Sequence, residues 1–485
     1  MDTMEVTEST PVEPGKWRQI LAAIIINIAN LSYGVTMGWA SPVIPLFLNP
    51  NNPVSEEPLT SEDISWLQSV MCIAGIPVLP LCSLIAERFG RKIIGYLIGI
   101  SFATSWFLTI FAINFQYLII ARIFAGVGGG FLYFLAPLYV TEISGDSIRG
   151  LLGTFMLFAL NIGIFLAYIL GALLSYKLFA ICSLSFSVIF FVCFLFMPET
   201  PTFLVRKDRI TDATKSLMWL KNRDKAAVDQ ELLRLRTLVK EYTNVNKPVG
   251  LYDLFRDRAT IKGFIIANGL LSGQQTCGIT AMLTYASMIF QLSGSSLSPN
   301  AATVIVGGIQ IIGSGLSTLF IEKAGRRPLI LISCLGMLLC HCAVATFLFL
   351  QSLSIDVSSL RWIPLVALSV YVITYSLGMG PAPFIVATEV FSSEIAALGC
   401  SISMTVMIVV AFAMLKFFPL AIELLNLYGC FYLLAAFCGC TLTFTYFIVP
   451  ETKGRSIEFI INKLNGRSER FKDSASIKAS IEMNL

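Results

Sequence analysis

Charge is what this chain has least of. Asp, Glu, Lys and Arg make up only 13% of its 485 residues, against about a quarter in an ordinary soluble domain. Hydrophobic residues make up 56%, and Phe alone appears 36 times. A soluble fold needs charge on its outside and could not hide so much apolar surface. Lipid is therefore the expected solvent for most of the exterior. Length would suggest two or three soluble domains, but composition overrides that prior.

Other absences narrow the chemistry. There is one histidine, His341, set in an apolar run between Cys340 and Cys342. No nucleophile–base–acid set and no metal cluster can be assembled around it, so neither an enzyme nor a metal site is expected. The 12 cysteines lie in or beside apolar stretches without a C-x-x-C pair. They read as small packing residues rather than a disulfide framework. A phosphate-cradling G-x-x-x-x-G-K-[ST] loop is missing, which excludes ATP as the driving force, and no cofactor is expected. No basic stripe with interleaved aromatics exists, so nucleic acid is not an expected partner. The opening residues are polar and acidic, without the charged–apolar–cleavage pattern of a removable signal peptide. Between Trp17 and Leu48 there is no Asp or Glu. Proton coupling needs an intramembrane group that changes its protonation, and His341 reads more simply as packing. The one N-x-[ST] match, Asn30-Leu31-Ser32, falls inside an apolar run.

Twelve apolar runs lie near 19–39, 64–85, 93–113, 117–140, 150–174, 177–197, 262–290, 301–320, 328–350, 362–388, 397–420 and 428–449. A helix of about 20 such residues crosses a hydrocarbon layer of about 30 Å with its backbone internally satisfied. Lys and Arg crowd the segment between runs six and seven, the end of the chain, and the joints after runs two and eight. Segments 49–63 and 291–300 hold none. Positive residues stay on the cytoplasmic side, so both termini and the middle segment are expected there. The expected organisation is a tail over 1–16, a six-helix bundle over 17–200 and a linker over 201–260. A second bundle over 261–450 and a tail over 451–485 complete it. In the linker, Leu232, Leu235 and Val239 stand at helical spacing and predict short amphipathic helices under the bundle.

A long internal repeat is readable. Glu87-Arg88-Phe89-Gly90-Arg91-Lys92 follows run two, and Glu322-Lys323-Ala324-Gly325-Arg326-Arg327 follows run eight. Pro198-Glu199-Thr200 follows run six, and Pro450-Glu451-Thr452 follows run twelve. Two related six-helix halves are a transporter arrangement. Further signatures are R-I-F-A-G-V-G-G-G at 122–130, P-L-Y-V-T-E-I at 137–143, Q-Q-T-C-G-I at 274–279 and G-M-G-P-A-P at 378–383. In this order the motifs resemble the sugar-porter family of the major facilitator superfamily, from about 17 to 460. Insect facilitated trehalose transporters and facilitative glucose transporters are the similar branches. The glycines of 126–130 follow no strand and read as a helix-packing surface.

The resemblance implies an all-α membrane protein with the major-facilitator fold, twelve transmembrane helices in two six-helix halves. It implies facilitated diffusion of a sugar or polyol, such as trehalose or a hexose, by alternating access. A non-transporting solute sensor and a proton-coupled symporter are the alternatives. The plasma membrane is the family's usual place. It also implies two charge sets that close one end of the bundle: Glu87, Arg91, Glu142 and Arg149 in the first half, and Glu322, Arg326 and Glu389 in the second. Thr202 and Ala396 stand where the family has arginines, so both sets look weakened. For solute binding the resemblance marks Gln274 and Gln275, with Thr280 and Gln310 at positions of family asparagines. Asn161 follows one turn after Leu157, where the family has a glutamine. Phe384, Met407-Ile408 and Ser376 replace a tryptophan, an asparagine–tryptophan pair and a glutamate. Sugars present many hydroxyls, and amides answer them by donating and accepting at once. Packing between helices is the plainer use of the same amides, above all for Gln310.

Overall fold

A computed structural model describes residues 15–50, 52–55, 57–145, 148–245, 251–294, 297–392, 395–455 and 457–465. The described chain is almost entirely helical. Ten of its helices are long and apolar enough to cross a membrane. Those of the first half are Lys16–Phe47, Ser61–Phe89, Arg91–Ile110, Phe115–Ile143, Leu152–Leu173 within the helix Arg149–Leu173, and Tyr176–Leu195. The second half supplies Pro299–Ser317 within the helix Pro299–Ala324, Arg326–Ser352, Ser358–Glu389 and Leu398–Ile448.

The count of twelve is reached in two steps. The last of these helices is two spans, the eleventh and twelfth, joined without a loop at Asn426, whose φ of 58° breaks the helix. The seventh span is missing from the ten because its first piece, though 19 residues long, is too polar, with Asn268, Gln274 and Gln275 in it, and it is also interrupted. It runs as Arg258–Thr276, Ile279–Thr284 and Ala286–Leu292, with Gly278 in the left-handed region between the first two pieces. The tenth span is also irregular, with a π-turn at Tyr375–Met379 before the short helix Ala382–Glu389. Such breaks are tolerated in a membrane only where other groups satisfy the freed backbone.

Sequence repeats become structural ones at the end of the bundle that carries both described chain ends. Gly90 and Gly325 have φ of 100° and 91°, which only glycine adopts at little cost. Each opens a span, the third or the ninth, and presents its first N–H groups to a carboxylate. Glu199 accepts from the N–H of Arg91 and of Lys92 at 3.0 and 3.1 Å. Glu451 accepts from the N–H of Arg326 and of Arg327, both at 3.1 Å. An anion at a helix N-terminus satisfies orphan donors and complements the dipole. A Cβ on Gly90 would lie 2.2 Å from the Glu199 carboxylate, and one on Gly325 2.9 Å from that of Glu451. The G-R and P-E-T motifs are thus two halves of one clasp, built twice.

The glycines of the fourth span let it press on the second: a Cβ on Gly126 would meet the Met71 carbonyl at 2.2 Å. In the linker, helices Pro201–Arg206, Ile210–Leu220 and Lys225–Val245 bring Leu232, Leu235 and Val239 against Phe203, Leu204 and Val205.

The apolar core has two main bodies. One belongs to the first half and gathers Ile26, Phe102, Leu135, Phe190 and Phe194. The other fills the second half, with Ile266, Leu271, Met337 and Phe431, and extends into the first through Trp39, Phe47, Trp106 and Phe179. Those first-half members all lie towards the end opposite the termini. The halves therefore share a core at that far end.

Candidate functional site

The bonds between the halves follow the same bias. At the centre of the fifth and eighth spans, Gln310 donates to Asn161 Oδ1 at 3.0 Å and Asn161 donates to Ser314 at 2.5 Å. Farther from the termini, Tyr168 donates to the Leu283 carbonyl at 2.8 Å, and the N–H of Ser287 to Ser41 at 3.0 Å. Lys416 of the eleventh span reaches Ser65 of the second at 2.9 Å and Glu62 at 3.7 Å, and lies over the Trp66 ring at 4.0 Å. Among the described residues, every such bond lies at mid-span or towards the far end. The arrangement is closed at that end, and among the described residues no hydrogen bond is seen between the halves at the other.

Lys416 is a lone cation in an otherwise apolar run, which was a signal the motif reading passed over. Its stem packs in the bundle while the ammonium reaches the seam. Glu62 is 78% exposed at its side chain, so the ion pair adds little and the ring contact about as much again, together about 1 kcal/mol. Lys416→Met should therefore favour far-end opening by about fivefold. A cysteine placed at Ser41 should then react faster with a membrane-impermeant thiol reagent than the same cysteine beside Lys416; equal rates would remove the latch from the account.

Amides of the central set are mostly engaged. Gln274, 2% exposed, donates to the carbonyls of Met379 and Gly380 at 2.9 and 2.7 Å. Those carbonyls are freed by the irregular turn in the tenth span. Its Oε1 is buried without a partner. Gln275, 8% exposed, accepts from Thr280 at 2.5 Å. Gln310 keeps a buried Oε1 without a partner. Phe384 is half-buried and packs at the margin of the second-half core. The break in the seventh span is braced in return: the Cys277 carbonyl accepts from Tyr371 and meets His341 Nε2, each at 3.0 Å. His341 is fully buried between Tyr371 and Phe431, so its role here is to hold a broken helix. Two tyrosines add an aromatic surface that motif matching does not mark. Tyr133 of the fourth span is 45% exposed, packs on Tyr33 and lies near Tyr375 of the tenth, itself beside Gln274.

Charge latches sit at the termini end. Arg91 and Glu142 form a two-pronged pair, at 3.0 and 2.8 Å, with side chains only 4% and 10% exposed. A third guanidinium bond reaches the Ala86 carbonyl at 3.0 Å. Arg326 and Glu389 make one contact at 3.2 Å, and Glu389 Oε2 and Arg326 Nε are buried without partners. Ala396, at the start of the eleventh span, offers that oxygen nothing. Glu87 is exposed and stands outside the Arg91 pair. The side chains of Arg149 and Glu322 lie outside the described residues. Glu199 and Glu451 join the set through backbone N–H groups. Their repeat was visible in the sequence, but their target was not.

Two six-span halves, discontinuous helices at their seam and paired charges at one end define a membrane transporter of the major-facilitator fold. The family described as "Sugar (and other) transporter" matches residues 21–463. The chain belongs to that family, and it is a transporter rather than an enzyme. It is 31% identical to the facilitated trehalose transporter Tret1 of Bombyx mori, over 94% of this chain and 89% of that one. To the Tret1 of Culex quinquefasciatus it is 29% identical, over 98% and 91%. The Aedes aegypti Tret1 is 30% identical, and there the chain spans only 57% of the relative's length. Among solved structures, the inward-open xylose transporter XylE from E. coli superposes with a TM-score of 0.75 at 20% identity. The match covers 91% of this chain and 98% of that one, a likeness of fold.

Proposed function

We propose that the chain is a uniporter that carries a sugar, trehalose or a hexose, down its gradient by alternating access. The observation that carries this reading is the amide chain Gln310–Asn161–Ser314 between the halves at mid-membrane. Amides that bond each other across a moving seam can exchange those bonds for sugar hydroxyls when the seam parts. Gln275 and Thr280, at the break of the seventh span, supply the second-half wall, and Tyr133 and Tyr375 supply faces for a sugar ring. Family membership and the Tret1 relatives favour a sugar over other polar solutes. Uniport is favoured because the first span has no acid, and Arg122, the buried cation beside it, bonds the Thr36 carbonyl instead of a carboxylate. The distribution of Lys and Arg puts both termini in the cytoplasm, and the plasma membrane is the proposed location.

Proteoliposomes offered a panel of labelled trehalose, hexoses and polyols from outside test the assignment. Saturable uptake of at least one sugar is expected, with exchange accelerated by unlabelled sugar inside. Imposing a pH gradient should leave the initial rate unchanged. Absence of uptake across the panel would overturn the sugar assignment, and a rate that follows the pH gradient would replace uniport with symport.

A further inference from the structure

Arg122, left without a carboxylate in the uniport reading, has surroundings of its own. It sits in the outer part of the fourth span, 6% exposed. One guanidinium nitrogen donates to the Thr36 carbonyl at 2.9 Å, and the group lies over the Trp39 ring at 4.2 Å. Nη2 is buried and has no partner. Among the described residues, no carboxylate faces it from any packed helix. The first, third and sixth spans carry no Asp or Glu. In the second, Asp63 accepts from the Thr60 N–H and hydroxyl, Glu62 turns to Lys416 and Glu87 lies at the other end; in the fourth, Glu142 is held by Arg91. An uncompensated charge in such surroundings is costly, and a ring contact offsets only part of that cost. The deficit calls for a negative partner.

The surroundings are built for one. Arg122, Trp39 and Trp106 line a small cavity with Thr36, Ser105, Thr109 and Leu118. The space open to the centre of a water molecule is about 10 Å³, the lower limit for one water, so a chloride-sized anion enters only as the indoles draw back slightly. Both indole N–H groups are buried without acceptors. Three residues lining this cavity therefore each carry a buried donor without a protein acceptor: one guanidinium N–H and two indole N–H groups. The Thr36 carbonyl already holds one guanidinium nitrogen, and the phenols of Tyr176 and Tyr33 nearby are neutral groups. A water would accept from at most two of these donors and would leave the charge in place. A monatomic anion accepts from all three and neutralises it.

We propose that this cavity binds a small monovalent anion of the chloride type, which completes the first half of the protein at its far end. The anion is neither carried nor needed at the seam, so its presence does not depend on which solute is transported. Binding is read on the full-length protein in detergent or nanodiscs, in gluconate at constant ionic strength, with Trp fluorescence as the signal. Trp39 and Trp106 would touch the anion, and bromide quenches by contact. Titration with bromide should give a saturable quench that chloride relieves in competition. Trp106→Phe keeps the packing and removes one donor, and should weaken binding about tenfold. Arg122→Met should abolish the saturable phase, and Arg122→Lys should retain part of it. If Arg122→Met does not fold, the Trp106→Phe and Arg122→Lys comparisons decide. A linear quench, unaltered by chloride and equal in all variants, would overturn the proposal, as would a density map with a water bridging Arg122 and the indoles. Sugar uptake that fails the panel above would leave this outcome untouched.

Discussion

Arg91→Met should abolish uptake and sharply lower the thermal midpoint of the purified protein. The substitution strands the Glu142 carboxylate, 10% exposed at its side chain, against the third span. Removing one member of a buried pair costs about 3–5 kcal/mol, because the remaining charge stays desolvated. Arg91 also donates to the Ala86 carbonyl, so the end of the second span loosens with it. Adding Glu142→Gln should recover much of the stability, since the stranded charge is gone. It should recover less of the transport, which needs the latch to form and part. A stability equal to the parent's in the single variant would show that water already reaches the pair. The same exchange at Arg326→Met should be milder, because that pair makes one contact and its side chains are 18% and 25% exposed.

Gln274→Leu should cost stability with or without solute and reduce uptake at least tenfold. Its amide nitrogen serves both Met379 and Gly380 carbonyls. Without it, two carbonyls in the irregular tenth span lose their donor, at about 1–3 kcal/mol each if they stay buried. Gln275→Ala offers the contrast. Its amide oxygen meets only Thr280 within its own broken span, so the change should raise KM and leave the melting temperature close to the parent's. Uptake in proteoliposomes and thermal unfolding of the same preparations separate the two. A Gln274→Leu protein that melts like the parent would return that residue to a purely solute-facing role.

The spans were legible because lipid imposes a length and a composition that few other contexts share. The seventh was legible as an apolar run, yet its division into three pieces was not. Gly278 marks a possible break, but which carbonyls come free depends on how the second half packs. That is also why Gln274 could be marked as important without showing that its nitrogen is committed to the backbone of another helix. The family resemblance put Arg91 with Glu142 and Arg326 with Glu389 in two charge sets, but not which members pair. The targets of Glu199 and Glu451 required the left-handed glycines that aim N–H groups at them. Lys416 and Arg122 were both visible as cations in apolar runs, but a sequence does not say what faces them.

The oily seam shared by Trp39, Phe47 and Phe179 with the second half has a thermal consequence. Parting it wets apolar surface, and such surface raises the heat capacity of the wetted state. The attraction that keeps it shut weakens as water cools. The two faces of the cycle must then trade places at a ratio that drifts with temperature. A plot of log rate against inverse temperature should bend rather than run straight, even with solute saturating and the lipid fluid throughout.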